Sequence, residues 1–220
     1  MKIFHFGKIY TTKDLNTPIR KISSVPRNRF KIAIIDDEEF IYQDELRKSG
    51  FDITKYDDAL DLQMLDSYPI IICDINGVGK NFKSPMGGAF LIRELKKRYP
   101  LKAYAAYTGS TYDISINTYL EGVSIIKKDI DIDDWCIEID SLIKKISDPK
   151  ETWSKIRDIL IKEEVPLLSL SKLEHEYVDI LLNKNGNFTN FPSADKNIQL
   201  APDVRAVIQS LVAGIILTAL

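Results

Sequence analysis

The sequence predicts an α/β domain built on a doubly wound, five-stranded parallel sheet and followed by a helical extension. Two observations support this fold class. Short, almost continuously apolar runs recur between residues 31 and 127, and a segment with helical periodicity follows each of them. Unbroken apolar strands are typical of a parallel sheet buried on both faces, and alternation with helices is typical of its crossover connections.

Five apolar runs are the predicted strands. Most are rich in β-branched residues, which suit a buried strand, and turn-forming or charged residues flank them. In chain order the strands cover residues 31–35, 51–56, 69–73, 102–107 and 123–127.

Each strand is followed by a predicted helix. Gly50 ends the first helix, Gly122 ends the fourth, and Pro100 closes the third, because glycine favours helix C-termini and proline cannot continue a helix. The predicted helices cover residues 38–49, 58–66, 89–99, 113–121 and 133–146.

Three regions are expected along the chain. Residues 1–30 form an N-terminal arm with seven Lys or Arg and one acidic residue, which we expect to be mostly solvated coil. Residues 31–148 form the α/β domain, and residues 149–220 form a helical extension that starts at Asp148-Pro149. The extension is predicted to contain amphipathic helices over 150–164 and 169–183, a loop over 183–197, and a last helix over 203–220.

The composition excludes several classes of protein. The 220 residues are 45% hydrophobic and 28% charged, which is ordinary for a globular protein with a sizeable core. Two cysteines and two histidines are too few for a disulfide framework or a usual zinc site. The net charge of −2 and the lack of basic excess beyond residue 30 argue against nucleic-acid binding as the function.

The two ends of the chain bear on its location. The N-terminal residues lack the apolar run of a signal peptide, so we expect a cytoplasmic chain. The segment Ala206–Leu220 carries no charge, but it is shorter than the roughly 20 residues that span a bilayer. The segment favours a packed or oligomerising helix, and membrane association through it stays open.

Polar side chains stand at the carboxyl ends of the predicted strands. Asp36 and Asp37 follow the first strand, Asp74 the third, Thr108 the fourth, and Lys128 lies just beyond the fifth. The carboxyl ends of parallel strands meet at one edge of the sheet, where such folds bind their ligands. Clustered carboxylates repel one another unless a cation intervenes, and Mg²⁺ prefers oxygen ligands. A carboxylate beside Mg²⁺, a lysine and a hydroxyl are the parts needed to form an aspartyl phosphate.

Four motifs carry a resemblance to a known family. They are IIDDEE at 34–39, IIICDIN at 70–76, AAYTGS at 105–110 and SIIKKDI at 124–130. In this order and spacing, residues 31 to about 147 resemble the receiver domain of two-component response regulators. The resemblance implies a flavodoxin-like receiver fold with strand order 2-1-3-4-5.

The resemblance also implies roles for individual residues. Asp74 is the phosphoacceptor, Thr108 the switch hydroxyl, and Lys128, rather than Lys127, the lysine that pairs with the acceptor. Asp36, Asp37 and Asp74 hold Mg²⁺ together with the backbone carbonyl of Asn76. The implied partners are a histidine kinase or phosphotransfer protein and a downstream protein, with homodimerisation left open.

The sequence departs from the family pattern at two places. The loop over 75–88 is several residues longer than usual and lies over the active edge, where it is expected to act on access, lifetime or partner choice. The position three residues before Lys128 is Ile125, where many receivers have an aromatic residue. The coupling between Thr108 and an aromatic side chain is therefore expected to be altered.

Other interpretations of the same residues were weighed. The DINGVG motif at 74–79 resembles a haloacid-dehalogenase nucleophile motif, but Asn76 stands where that family has a second aspartate. The GVGK at 77–80 hints at a phosphate loop, but Asp74 stands where glycine is required.

His175, on a predicted helix, lacks the flanking pattern of a phosphorelay histidine and is interpreted as a packed or solvated side chain. Two further functional hypotheses are a receiver-fold scaffold without phosphotransfer and a membrane-tethered regulator.

Overall fold

The computed structural model describes residues 8–16, 26–109, 114–184, 186–193 and single positions between 200 and 209. The chain divides into two compact units. We call Val25–Ile146 the α/β unit, and Met1–Ser24 together with Ser147–Leu220 the helical unit. Each unit is described by itself below.

The α/β unit contains a five-stranded sheet in which every pair of neighbouring strands is parallel. The strand order is β2-β1-β3-β4-β5, which confirms the predicted fold class and the order 2-1-3-4-5. The strands are β1 (Lys31–Ile35), β2 (Asp52–Tyr56), β3 (Ile70–Asp74), β4 (Ala103–Thr108) and β5 (Ser124–Lys127).

Helices pack on both faces of this sheet, as the unbroken apolar strands predict. They are α1 (Gln43–Lys48), α2 (Gly87–Arg98) and α3 (Ile132–Ser147). Leu46 of α1 and Trp135 of α3 belong to the hydrophobic cluster on one face. Leu91 and Ile92 of α2 belong to the cluster on the other face. Residues of β1 and β3 alternate between the two clusters, so both central strands are buried from both sides.

Two predicted helices are wrong in type. Only a 3-10 turn, Gln63–Leu65, forms within the predicted helix 58–66. There the Asp61 carboxylate accepts the N–H groups of Gln63 and Met64, and such side-chain bonds compete with helical ones. The predicted helix 113–121 is likewise a 3-10 helix, Ile114–Thr118, and residue 113 lies outside the described residues.

The first predicted helix is shorter than expected. Residues 38–49 were predicted to be helical, but α1 begins only at Gln43. The preceding residues contribute to the sheet edge and the core instead. The N–H of Glu38 donates to Asp36 Oδ1, and the ring of Phe40 is buried against Tyr107 and Trp135.

The helical unit contains both predicted amphipathic helices, α4 (Pro149–Lys162) and α5 (Leu167–Asn183). Asp148 caps α4 by accepting the N–H of Lys150 at 2.8 Å, and Pro149 occupies the first turn. An aromatic cluster forms the centre of this unit: the ring of Tyr177 contacts those of Trp153, Phe188 and Phe191.

The described part of the N-terminal segment packs on α5. The backbone N–H of Tyr10 donates to His175 Nδ1, and Thr12 donates to Glu174 through both its N–H and its hydroxyl. Leu15 is buried. The expected solvated coil is therefore wrong for residues 8–16. Of the two alternatives that the sequence left open for His175, packed or solvated, the structure shows the packed one.

The last predicted helix, residues 203–220, falls almost entirely outside the described residues, as does the apolar segment Ala206–Leu220. Among the residues that the structure describes, none of the helices has the length and apolar character needed to cross a membrane.

Candidate functional site

Three carboxylates meet at the carboxyl edge of the sheet. β1 and β3 are neighbours with Ile35 opposite Cys73, so Asp36 and Asp74 come side by side where these strands end. Both are almost completely buried, each 3% exposed, while Asp37 is exposed. Each of the three offers a carboxylate oxygen, and these oxygens all lie within 4.8 Å of one another.

Backbone N–H groups orient the two buried carboxylates. Asp36 Oδ1 accepts the N–H of Glu38 at 2.9 Å, and Asp74 Oδ1 accepts the N–H of Asn76 at 3.2 Å. Burial raises the pKa of Asp36, and the bond from Glu38 and the charge of Lys128 offset only part of that increase. The ionised Asp36 is therefore held in an unfavourable state, which a bound cation would relieve.

Lys128 is the lysine that reaches the two buried carboxylates of the cluster. Its ammonium lies 2.5 Å from Asp74 Oδ2 and 3.9 Å from Asp36 Oδ2. Burial lowers the pKa of Lys128, but the hydrogen bond and charge of Asp74, together with the charges of Asp36 and Glu38, outweigh it, so the net pKa lies above its ordinary value. Lys127, one residue earlier, is exposed on β5.

Thr108 ends β4 directly beside this group. The register places Tyr107 opposite Asp74, and the N–H of Lys128 donates to the carbonyl of Thr108 at 3.0 Å. Thr108 is 4% exposed, and its hydroxyl has no hydrogen-bond partner among the described residues. Buried hydroxyls are nearly always paired, so an unpaired one at this edge is suited to donate to a ligand oxygen.

The residues present fit a magnesium ion. Three carboxylates of hard oxygen character, two of them oriented by backbone N–H groups, form the donor set that Mg²⁺ prefers. Asn76 lies beside the cluster through its N–H bond to Asp74, and the role of its carbonyl as a further ligand stays a prediction.

The long loop over 75–88 is folded onto the site. Gly77, at φ +72°, packs so closely that a Cβ there would overlap the Asp37 carboxylate. Gly88, at the start of α2, packs equally closely against the carbonyl oxygen of Asp74. Both close approaches require glycine, which explains why the loop is glycine-rich without being a phosphate loop.

Three residues near the site were not predicted. The Asp58 carboxylate accepts the N–H groups of Gly79 and Lys80, the Lys80 ammonium lies 3.0 Å from Asp37 Oδ2, and the Tyr107 ring lies under the Lys128 ammonium. The sequence pattern places Asp58 in a predicted helix and Tyr107 in a predicted strand, and it gives neither of them a role at the site. Lys80 belongs to the GVGK motif. The unusual length of the loop over the active edge is the sequence signal that could have indicated that a residue of this loop reaches the site.

Ile125 occupies the position where many receivers have an aromatic residue, and its side chain is 40% exposed on β5. Tyr107 is instead the aromatic side chain beside Lys128. Its hydroxyl is buried without a partner among the described residues, and its ring contacts Phe40 and Trp135.

Comparison with known proteins gives matches among solved structures. No protein-family model and no curated protein matches the chain. A response regulator receiver domain protein from Clostridium thermocellum is 26% identical, with a TM-score of 0.43, over 53% of this chain and 95% of that one. A receiver domain protein from Methanospirillum hungatei is 17% identical, with a TM-score of 0.44, over 53% and 95% of the two chains. The signal receiver domain of an HD domain-containing protein from Pseudomonas fluorescens is 16% identical, with a TM-score of 0.45, over 54% and 97%.

The chain is thus similar to receiver domains over about half of its length. The doubly wound topology of the α/β unit is shown by its own strand order, β2-β1-β3-β4-β5.

Proposed function

We propose that this chain is a response-regulator-like signalling protein that accepts a phosphoryl group on Asp74. The observation that supports this most is the contact set of Asp74. One of its oxygens pairs with Lys128. Asp36 and Asp37 each offer a carboxylate oxygen within 4.8 Å of a carboxylate oxygen of Asp74. A nearly buried carboxylate between a lysine and a cation site is suited to nucleophilic attack on phosphorus.

In the proposed reaction an oxygen of Asp74 bonds to the phosphorus of the donor, and the bond from phosphorus to the leaving group breaks. The leaving group departs with that electron pair. Asp36, Asp37, Asp74 and the carbonyl of Asn76 would hold Mg²⁺, which supplies Lewis-acid stabilisation of the phosphoryl oxygens when bound. Lys128 neutralises another phosphoryl oxygen, and the unpaired hydroxyl of Thr108 donates a hydrogen bond to a third.

The proposed partners follow from this chemistry. A histidine kinase or a phosphotransfer protein supplies the phosphoryl group in the cytoplasm, and a downstream protein receives the signal. The helical unit is the proposed output region. Its two amphipathic helices are not basic, and among the described residues the cluster of possible metal ligands lies in the α/β unit and not in these helices. Homodimerisation is an alternative route to output.

The test is intact mass after incubation with acetyl phosphate and Mg²⁺. We expect one added phosphoryl mass on the wild type and on Asp129→Asn, an exposed carboxylate near Lys128 that serves as the control. We expect none on Asp74→Asn. Added mass on Asp74→Asn would move the acceptor to another residue. No added mass on the wild type, together with no Mg²⁺-dependent binding of beryllofluoride, would overturn phosphotransfer in favour of a scaffold.

A further inference from the structure

A second lysine contacts the carboxylate cluster, at a different carboxylate from the one that Lys128 pairs with. The ammonium of Lys80, in the long loop, lies 3.0 Å from Asp37 Oδ2. Lys128 pairs with Asp74, so two of the three clustered carboxylates each have their own lysine. The Lys80 pair differs from the Lys128 pair in exposure: the Lys80 side chain is 65% exposed, and that of Lys128 is 29% exposed.

The backbone around Lys80 is fixed by a dedicated anchor. The carboxylate of Asp58 accepts the N–H of Gly79 at 2.6 Å and the N–H of Lys80 at 3.1 Å. The side-chain amide of Asn81 donates to the carbonyl of Ala59 at 3.1 Å. These bonds tie the loop to the segment that follows β2, so the Lys80 side chain starts from a defined point next to the site.

The same loop also presses on Asp37 directly. Gly77 approaches the Asp37 carboxylate so closely that any side chain at this position would overlap it. The loop therefore contacts Asp37 in two ways, through the backbone at Gly77 and through the ammonium of Lys80. Asp37 is also the exposed member of the cluster, where an incoming cation would first meet a ligand.

We propose that Lys80 is a built-in counter-ion that competes with Mg²⁺ for Asp37 and so lowers the metal affinity of the site. The proposal deepens the proposed function, on which the identity of the metal rests. An ammonium at 3.0 Å satisfies one carboxylate oxygen, and a cation that takes this oxygen must displace it. The long loop then regulates phosphorylation by setting how much Mg²⁺ is needed to occupy the site.

The test is a Mg²⁺ titration of the full chain by calorimetry, with wild type, Lys80→Gln and Lys83→Gln. Lys83 lies in the same loop, is exposed and carries the same charge, so its variant controls for net charge. We expect Lys80→Gln to bind Mg²⁺ about two- to fivefold more tightly, the range that a partly exposed ion pair can account for. We expect Lys83→Gln to stay close to the wild type. The difference should shrink at high ionic strength, because salt screens exposed pairs.

Two results would overturn the role of Lys80. One is unchanged or weaker Mg²⁺ binding by Lys80→Gln, and the other is equal tightening by both variants, which would assign the effect to net charge. Intact-mass phosphorylation of the same samples separates this failure from that of the proposed function. If the wild type binds Mg²⁺ and accepts the phosphoryl group, the proposed function is supported, whatever the Mg²⁺ affinity of Lys80→Gln. A wild type that binds no Mg²⁺ overturns both.

Discussion

The ammonium of Lys128 lies 2.5 Å from Oδ2 of Asp74, although a strand separates the two residues in the sheet. Asp74 ends β3 and Lys128 follows β5, so the lysine side chain crosses the end of β4. There the ring of Tyr107 lies 4.9 Å from the ammonium and supports it by a cation–π contact. The charge of the proposed phosphoacceptor is thus balanced from within the protein, by the ammonium of Lys128.

Replacing Lys128 should destabilise the metal-free protein. Lys128→Gln leaves the nearly buried Asp74 carboxylate without its cation, and we expect a loss of about 1–3 kcal/mol in the free energy of unfolding. Added Mg²⁺ should recover part of this loss. Denaturant unfolding with and without Mg²⁺ measures both effects. Lys127→Gln, one residue earlier and exposed, is the matched control, and an equal loss in both variants would contradict the assigned pair.

Two tyrosines on β4 should respond oppositely to loss of their hydroxyl groups. The Tyr107 hydroxyl is buried without a partner among the described residues, so Tyr107→Phe should keep or raise stability by up to about 1 kcal/mol. The Tyr104 hydroxyl donates to the carbonyls of Leu95 and Tyr99, so Tyr104→Phe should cost about 1 kcal/mol. Thermal or denaturant unfolding of the two variants compares them directly. A larger loss for Tyr107→Phe would mean that its hydroxyl has a partner.

The start of α2 should not tolerate a side chain at Gly88. A Cβ there overlaps the carbonyl oxygen of Asp74 and comes within 2.9 Å of Val78, so Gly88→Ala should cost about 2 kcal/mol or more. Gly109, just after Thr108, has no atom of the described residues within 4 Å of its Cβ position, and Gly109→Ala should stay within about 0.5 kcal/mol of the wild type. Unfolding midpoints decide between these expectations, and a tolerated Gly88→Ala would show that α2 can shift away from β3.

Asp36 should make the metal-free protein less stable as the pH rises. Burial raises the pKa of Asp36 in the folded state above its ordinary value of 3.8, so the folded chain holds this proton more tightly than the unfolded chain. Protonated Asp36 therefore adds to the free energy of unfolding. This contribution is present in full below the ordinary pKa and is lost as the pH rises through the folded pKa. Asp36→Asn removes this cost, so its advantage over the wild type should be absent at about pH 3 and present at about pH 7.

Unfolding at both pH values without Mg²⁺ tests this expectation, with the exposed Asp129→Asn as control. Mg²⁺ should reverse the order at about pH 7, because only the wild type retains the full carboxylate cluster that we propose as the metal site. An advantage of Asp36→Asn that is the same at both pH values would contradict the raised pKa.

The strands and the main site residues were predictable because they depend on local patterns. All five strands lie within one or two residues of their predicted positions, since apolar runs bounded by polar residues mark buried strands. Asp36, Asp74 and Thr108 stand at the ends of these strands. Because the strands are parallel, the three residues meet at the carboxyl edge of the sheet. The helix predicted over 58–66 failed because Asp58 and Asp61 use their carboxylates on backbone N–H groups, a competition that periodicity does not register.

The sequence by itself determined the strands and the residues at their carboxyl ends, because strand periodicity and strand ends are properties of short segments. The strand order was implied by the resemblance to receiver domains, and the pairing of the strands in the folded unit confirmed it. The tertiary structure alone decided the contact of Lys80 with Asp37, 43 residues apart, and that of Tyr10 with His175, 165 residues apart. Such contacts depend on how a loop closes and where a segment packs. Many loop paths are compatible with the same local pattern, and packing and hydrogen bonding across the folded unit select one of them.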